Sequence, residues 1–267
     1  MKRAAITKVI EKRFDAINTH SLLIAEHFGS EAIHEFRVEI KKLNAFFSLL
    51  YMANPGATPL MLQPQLKVFY DLLGELRNAQ LQQELIVARC HSNSIALPNA
   101  YLQFLQEQYA LLQQHAAEHA PNIQHVKKLL LKKLPLQVKN KALLHYRSYK
   151  WGRLQQLVSY PPFDETLHEI RKLCKEVLYN TKHIKKAGKD ADESYFNNQE
   201  FIENLQQKLG DNHDLYTSLY MIWHYLLGCP DTIDKNSLEL IEKHLLQEKY
   251  RLKPSIKTYL QNISSLA

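Results

Sequence analysis

Two short patterns in this chain each occur twice, in the same order and at nearly the same spacing. The first pattern joins a histidine, an arginine and a lysine at helical spacing, as His34, Arg37 and Lys41 and again as His168, Arg171 and Lys175. The second is a leucine–glycine–acid element: Leu73-Gly74-Glu75 and Leu209-Gly210-Asp211. The offset is 134 residues between the histidines and 136 between the glycines. Two matches in one register predict an internal repeat.

The repeat predicts how the fold is organised. We expect one domain over residues 1–267, with a first repeat over about 1–120 and a second over about 138–267. If the two copies pack about a pseudo-twofold axis, their equivalent helices meet at the centre. The predicted fold class is therefore all-α, a helical bundle of two related repeats around a pseudo-twofold axis with a basic central groove.

Apolar residues recur at helical spacing along almost the whole chain. The chain also has only 7 glycines in 267 residues, too few for a sheet protein of this size. Pro64 is tolerable only in a first turn, Gly188 would end the seventh helix, and Pro254 would kink or split the last. The predicted helices cover about 4–28, 30–53, 60–90, 98–119, 127–134, 139–158, 164–187, 195–209, 213–227 and 235–265.

The repeated helices each carry cations along one face. At about 100° per residue, the second helix aligns five cationic or titratable groups, with Tyr179 beside them: His168, Arg171, Lys175, Lys182 and Lys186. In the first helix His34, Arg37 and Lys41 share that geometry, with Lys42 about 80° away. Like charges in a row repel one another, and an extended phosphate polyanion would relieve the repulsion.

The positive charge of the chain is local. The formal net charge is +7, but residues 122–189 alone carry 16 Lys or Arg against 4 Asp or Glu. Nucleic acid, polyphosphate or a membrane surface are the anionic partners that such a distribution favours. A solvated charged face is the alternative, although solvation does not require the stripe to recur.

At these residues the sequence resembles the CHAD family, named for conserved histidines in an α-helical domain. The family's helix reads roughly H-x-x-R-V-x-x-K-R-L-R, and both copies here begin at His34 and His168. Its downstream L-G-x-x-R-D or L-G-x-x-N-D element resembles residues 73–78 and 209–214. The sequence departs from the pattern at Asn44, Glu176 and Leu178, where basic residues are usual.

The resemblance implies a stand-alone member that binds inorganic polyphosphate in a central basic cavity, without catalysis and without a cofactor or metal. Cytoplasmic localisation and association with polyphosphate granules are expected. The expected polyphosphate-binding residues are His34, Arg37, Lys41, Lys42, Arg77, His168, Arg171, Lys175, Lys182 and Lys186, with Arg147, Lys150, Arg153, Tyr179 and Lys185 as additional candidates. Arg77 is either a phosphate contact or a buried ion-pair partner.

Other readings stay open. Aromatic and basic residues alternate over 146–153, which suits single-stranded RNA, or a helix whose aromatics are core and whose cations extend the phosphate groove. His115-Ala116-Ala117-Glu118-His119 matches a short zinc-peptidase pattern, for which a surface helix with two histidines is the alternative. An enzyme acting on phosphate chains is the least favoured, because no acidic cluster for Mg²⁺ is apparent. No apolar run is long enough for a membrane span, and the three cysteines are scattered.

Overall fold

The computed structural model describes residues 1–54, 56, 58–185, 199–228 and 232–264. Within these ranges the chain forms nine α-helices and no β-strand, which confirms the predicted all-α class. In chain order the helices are α1 (Arg3–His27), α2 (Ser30–Met52), α3 (Pro64–Asn93), α4 (Asn99–Glu118), α5 (Ile123–Leu131), α6 (Asn140–Val158), α7 (Asp164–Lys185), α8 (Gln199–Leu226) and α9 (Thr232–Ser264).

Local sequence signals explain several helix ends. Phe28 adopts a left-handed conformation (φ 49°) and its N–H bonds to the carbonyl of Ile24, which closes α1. Pro64 lies in the first turn of α3, as predicted, because a proline there removes no intrahelical hydrogen bond. Helix α5 begins four residues before the predicted position, since the Asn122 side chain accepts a hydrogen bond from the His125 N–H (2.9 Å).

The predicted break near Gly210 is wrong, and so is a split of the last helix at Pro254. Helix α8 runs without interruption through Gly210, which is buried within the helix. A mid-helix glycine costs about 1 kcal/mol, and the buried apolar face of α8 outweighs that cost. Helix α9 continues through Pro254, so the proline does not split it; Ile256 and Ile263 beyond it are buried and hold the last turns in place. The predicted end of α7 at Gly188 lies outside the described residues.

Each of the two repeated helices buries one apolar side. On α2 they are Ile33, Phe36, Ile40, Leu43, Phe47 and Leu50, and on α7 they are Ile170, Leu173, Cys174, Val177 and Ile184. The core forms three clusters. One is centred on α1, α2 and α5, one on α7 with α8 and α9, and the third joins α3 and α4 to α8 and α9, and so contains residues of both predicted repeats.

The two repeated helices pack against each other, and this contact positions the site. The buried Asn180 side chain of α7 donates one hydrogen bond to the Ala45 carbonyl of α2 (2.7 Å) and another to the Tyr146 hydroxyl of α6 (3.0 Å). Satisfying both donors fixes α2, α6 and α7 in one register. The pseudo-twofold axis of the predicted repeat stays a prediction. None of the described helices has an apolar stretch long enough to span a bilayer.

Candidate anion-binding site

Four cations meet where α2 lies beside α7: Arg37 and Lys41 from the first repeated pattern, Arg171 and Lys175 from the second. We call them the central cluster. Burial is the largest cause that lowers the pKa of Lys41, to about 7, and the nearby charges of Lys175, Arg37 and Arg171 lower it further. Burial and Arg171 likewise lower the pKa of Lys175 to about 8. The two rows predicted from sequence therefore do meet.

The central cluster lacks the carboxylate partners that other cations of this protein have. Lys150 pairs with Glu176, Lys249 with Asp164 and Arg13 with Glu39, all within 2.8 Å. None of the four cluster cations makes an ion pair with any residue that the structure describes. Asp214 and Asp71 act on these cations only from beyond ion-pair distance. Half-buried cations without a close ion pair are costly, so this arrangement suits an external anion.

Arg37 is held by α3. Its Nη1 donates to the Tyr70 carbonyl (2.5 Å), and its guanidinium lies 4.4 Å from the centre of the Tyr70 ring. A Cβ atom built on Gly74 would overlap with that guanidinium, so glycine at this position makes room for the arginine. The first Leu-Gly element and the first basic helix therefore form a single packing unit.

Arg171 lies against Gly210 in the corresponding way, with more space. A Cβ on Gly210 would come 3.5 Å from the Arg171 Nε, an ordinary van der Waals distance. That Nε is buried and has no hydrogen-bond partner among the described residues. The arginine-on-glycine contact thus occurs at equivalent positions of both predicted repeats, tightly in the first and loosely in the second.

A pair of histidines flanks the cluster. The rings of His168 and His213 lie 4.4 Å apart between centroids, tilted by 34°. Burial lowers the pKa of His213 to about 4, helped by His168 and the neighbouring cations, and burial also lowers the pKa of His168. Both rings are therefore neutral near pH 7. The Nδ1 of His168 is buried and has no partner in the described part of the chain.

Asp214 is a carboxylate that interacts with three cations of the cluster. Burial raises its pKa, while Arg171, Lys175 and Lys41 act in the opposite direction. His213 and Asp214 belong to the second Leu-Gly element, and neither is among the site residues expected from the sequence, although His213 stands at the position of Arg77 in the first element. No sequence pattern predicts Tyr70 as a site residue, because only the packing of the helices places its carbonyl against Arg37.

Tyr179 belongs to this site. It is half-buried on α7, and burial raises its pKa, with Arg171 opposing that shift and Tyr70 adding to it. The phenol thus lies among the residues that surround the cluster.

Three residues predicted from the first repeat lie apart from the cluster. His34 is exposed, and its Nε2 is 3.9 Å from the Glu35 carboxylate. Lys42 pairs with Glu39 (2.6 Å). Arg77 donates to the Ser30 hydroxyl at the start of α2 and makes no ion pair among the described residues; its role stays a prediction. Repetition in sequence places the two histidines at equivalent positions, but only His168 gains a ring partner.

The far end of the α7 row lies beyond the cluster. Lys182 lines a separate cavity with residues of α1. Lys185 is exposed and donates to the Gln199 side chain (3.4 Å). Lys186 lies outside the described residues.

The α6 residues divide between core and surface. Tyr146 is fully buried and Lys150 is held by Glu176 and Ser48, so neither faces an open surface. Arg153 is exposed and bonds to Gln156 (2.6 Å), and Arg147 makes no hydrogen bond or ion pair within the described ranges. Tyr149 is exposed, while Trp151 packs partly against the core. This leaves few aromatic faces for stacking bases.

The zinc-peptidase pattern lies on a surface helix end. His119 caps its own helix, with Nδ1 2.8 Å from the His115 carbonyl. Among the described residues no group of three or more His, Cys, Asp or Glu side chains is placed to hold a metal ion. Cys90 and Cys174 are buried free thiols, and Cys229 lies outside the described residues.

Comparison with known proteins agrees with the helical pattern. The model of the CHAD domain family matches residues 8–222. Among solved structures, the chain is similar to the crystal structure of the CHAD domain from the plant Ricinus communis, with a TM-score of 0.75 and 15% sequence identity over 98% of this chain and 92% of that one. At that identity the likeness describes the fold. No curated protein matches the chain.

Proposed function

Because this chain belongs to the CHAD family, we propose that it binds inorganic polyphosphate at the central cluster and does not transform it. The observation that carries the proposal is the meeting of Arg37, Lys41, Arg171 and Lys175 without an ion pair in the described structure. A linear phosphate chain offers the repeated negative charge that four cations on two adjacent helices require.

The chemistry of each group fits phosphate oxygens. Arginine presents a planar fork of N–H donors, and lysine adds a point charge. An incoming phosphate would restore the charged form of Lys41 and Lys175, whose pKa values are lowered by burial and by neighbouring cations. Each neutralised phosphate also releases condensed counterions, which adds a favourable, salt-dependent contribution to binding.

Binding without catalysis is part of the proposal. The groups around the cluster include cations, the two neutral histidines and the carboxylates of Asp214 and Asp71. Such a site can hold and orient a phosphate chain. Metal-dependent release of orthophosphate from a polyphosphate substrate would contradict this part of the proposal.

The test is a competition assay at fixed salt, in which long-chain polyphosphate, RNA and double-stranded DNA displace a labelled polyphosphate. We expect unlabelled polyphosphate to displace the probe at a lower phosphate concentration than either nucleic acid. RNA that competes equally well at equal phosphate concentration would instead favour an RNA-binding protein. This alternative has weaker support, because Tyr146 is buried and Trp151 partly so.

Paired variants localise the binding. Lys41→Gln with Lys175→Gln removes two cluster cations, and Lys128→Gln with Lys132→Gln removes two exposed, unpaired cations of the α5 region with the same change in net charge. We expect the first pair to weaken polyphosphate binding by about tenfold or more, at about 1.4 kcal/mol per factor of ten. We expect the second pair to have little effect. Equal losses would indicate binding governed by net charge alone.

In the cell, the same site would bring the protein to polyphosphate granules. A cytoplasmic protein with this site would associate with polyphosphate granules, and the Lys41→Gln, Lys175→Gln variant would not. Fluorescence imaging of both proteins in granule-forming cells checks this.

A further inference from the structure

A second cationic cavity lies between α1, α6 and α7, beyond the central cluster. Its volume is about 480 Å³, within the range of about 300–1,000 Å³ that ligand sites occupy. Among the described residues its lining contains no carboxylate. Its basic side chains are Lys8, Lys12, Arg13, Lys182 and His183.

The cations of this cavity differ in whether a carboxylate neutralises their charge. Arg13 is neutralised by the buried Glu39 (2.8 Å), which also accepts from Lys42. Lys8 and Lys12 are exposed and make no hydrogen bond or ion pair with any residue that the structure describes. They are four residues apart on α1 and so share one face, where two like charges repel each other. Unlike the half-buried cations of the central cluster, these two lysines are exposed, so an anion can reach them from solvent.

The cavity lies beyond the central cluster along α7. Lys182 lines it, and Lys182 is seven residues, or about 10 Å, beyond Lys175 on the same helix face. Tyr179, which adjoins Arg171 and Tyr70, lies between these two lysines. Helix α7 thus connects two cationic sites through one row of side chains.

We infer that this cavity is a second phosphate subsite, which a single long polyphosphate chain occupies together with the central cluster. The inference rests on the proposed function. A chain held at the cluster brings its next phosphates to the cavity at high effective concentration, so the second contact adds affinity without a second ligand molecule. A short anion fills only one of the two sites. The protein therefore prefers long chains to short ones.

The test compares tripolyphosphate with long-chain polyphosphate, measured by calorimetry at several salt concentrations. The variant is Lys8→Gln with Lys12→Gln, and the matched control is again Lys128→Gln with Lys132→Gln. We expect the α1 variant to weaken long-chain binding by about tenfold and to reduce the salt dependence by about one to two phosphate contacts. Tripolyphosphate binding to the same variant should be unchanged, since it needs only the cluster.

The outcomes separate the two proposals. Loss of long-chain affinity in the α1 variant, with tripolyphosphate binding retained, supports the second subsite. Long-chain binding that is unchanged, or reduced only as much as in the control, overturns the subsite and leaves the proposed function intact. Failure of the unsubstituted protein to bind either phosphate chain overturns the proposed function itself. Circular dichroism of each variant shows that it is folded, which is expected because all four substituted lysines are exposed.

Discussion

The guanidinium of Arg37 lies against the backbone of Gly74, in the space that a side chain at residue 74 would occupy. Arg171 and Gly210 form the corresponding contact at a larger distance, because a Cβ atom on Gly210 would lie 3.5 Å from the Arg171 Nε. This difference between two equivalent positions gives the first prediction.

Gly74→Ala should weaken polyphosphate binding, whereas Gly210→Ala should leave it unchanged. The added methyl group at residue 74 displaces the Arg37 guanidinium from Tyr70, but at residue 210 it only makes van der Waals contact with Arg171. Alanine is favoured over glycine within a helix by about 1 kcal/mol, so Gly210→Ala should also raise the melting temperature. Calorimetric titration and thermal unfolding of the two variants provide the comparison. Equal effects on binding would mean that Arg37 is not positioned by this contact.

Removing two cluster cations should stabilise the folded protein while it weakens binding. Lys41 and Lys175 are half-buried, repelled by the arginines and without ion pairs in the described structure, so they oppose folding. Lys41→Gln with Lys175→Gln should raise the free energy of unfolding by about 0.5–2 kcal/mol without ligand. Urea denaturation measures the change. A destabilised double variant would show that these lysines are structural and not reserved for an anion.

Polyphosphate binding near pH 8 should take up protons. The pKa values of about 7 for Lys41 and about 8 for Lys175 lie below the ordinary 10.5, and an anion beside them raises both. The complex therefore holds more protons than the free protein, and affinity falls as the pH rises from 7 through 8. Titration in two buffers of different ionisation enthalpy gives the number of protons. Lys41→Gln with Lys175→Gln should abolish the proton uptake. If the unsubstituted protein takes up no protons on binding polyphosphate, this electrostatic account is refuted.

The same pKa values set a stability trend in the free protein. Above about pH 7 the unfolded chain binds protons that folded Lys41 does not, and Lys175 contributes in the same way above about pH 8. The free energy of unfolding contributed by these two groups therefore rises with pH toward 10.5, where the difference disappears. Comparing the pH dependence of denaturation in the unsubstituted protein and the double glutamine variant isolates this contribution.

Lys150 and Glu176 should behave as a structural pair. Their ion pair (2.7 Å) is mostly shielded from solvent, and the Lys150 Nζ also donates to Ser48. Breaking it by Lys150→Met or by Glu176→Leu alone should cost about 2–3 kcal/mol, while the double substitution should cost much less, because no unpaired charge is left. Denaturation of the three variants completes a double-mutant cycle. Additive losses would show that the two charges do not interact.

Sequence patterns determined much of the fold and part of the site. Spacing placed Arg37, Lys41, Arg171 and Lys175 on helix faces opposite to their apolar sides, and the four meet between α2 and α7. The helical class follows because apolar residues at helical spacing must be buried together. The CHAD motifs were also readable, since they are short and helical.

Tertiary packing decided the rest. Whether Gly210 ends a helix or lies inside one depends on the burial of α8 against its neighbours, which local propensity does not contain. His34 and His168 stand at equivalent positions, yet only His168 meets a second ring, His213, from a helix more than 40 residues away. Lys150 carries the same charge as Lys175 but has a carboxylate within 2.7 Å. The sequence sets which groups can carry charge, and the packing of helices decides which of them lack a partner, because burial and ion pairing depend on neighbours far away along the chain.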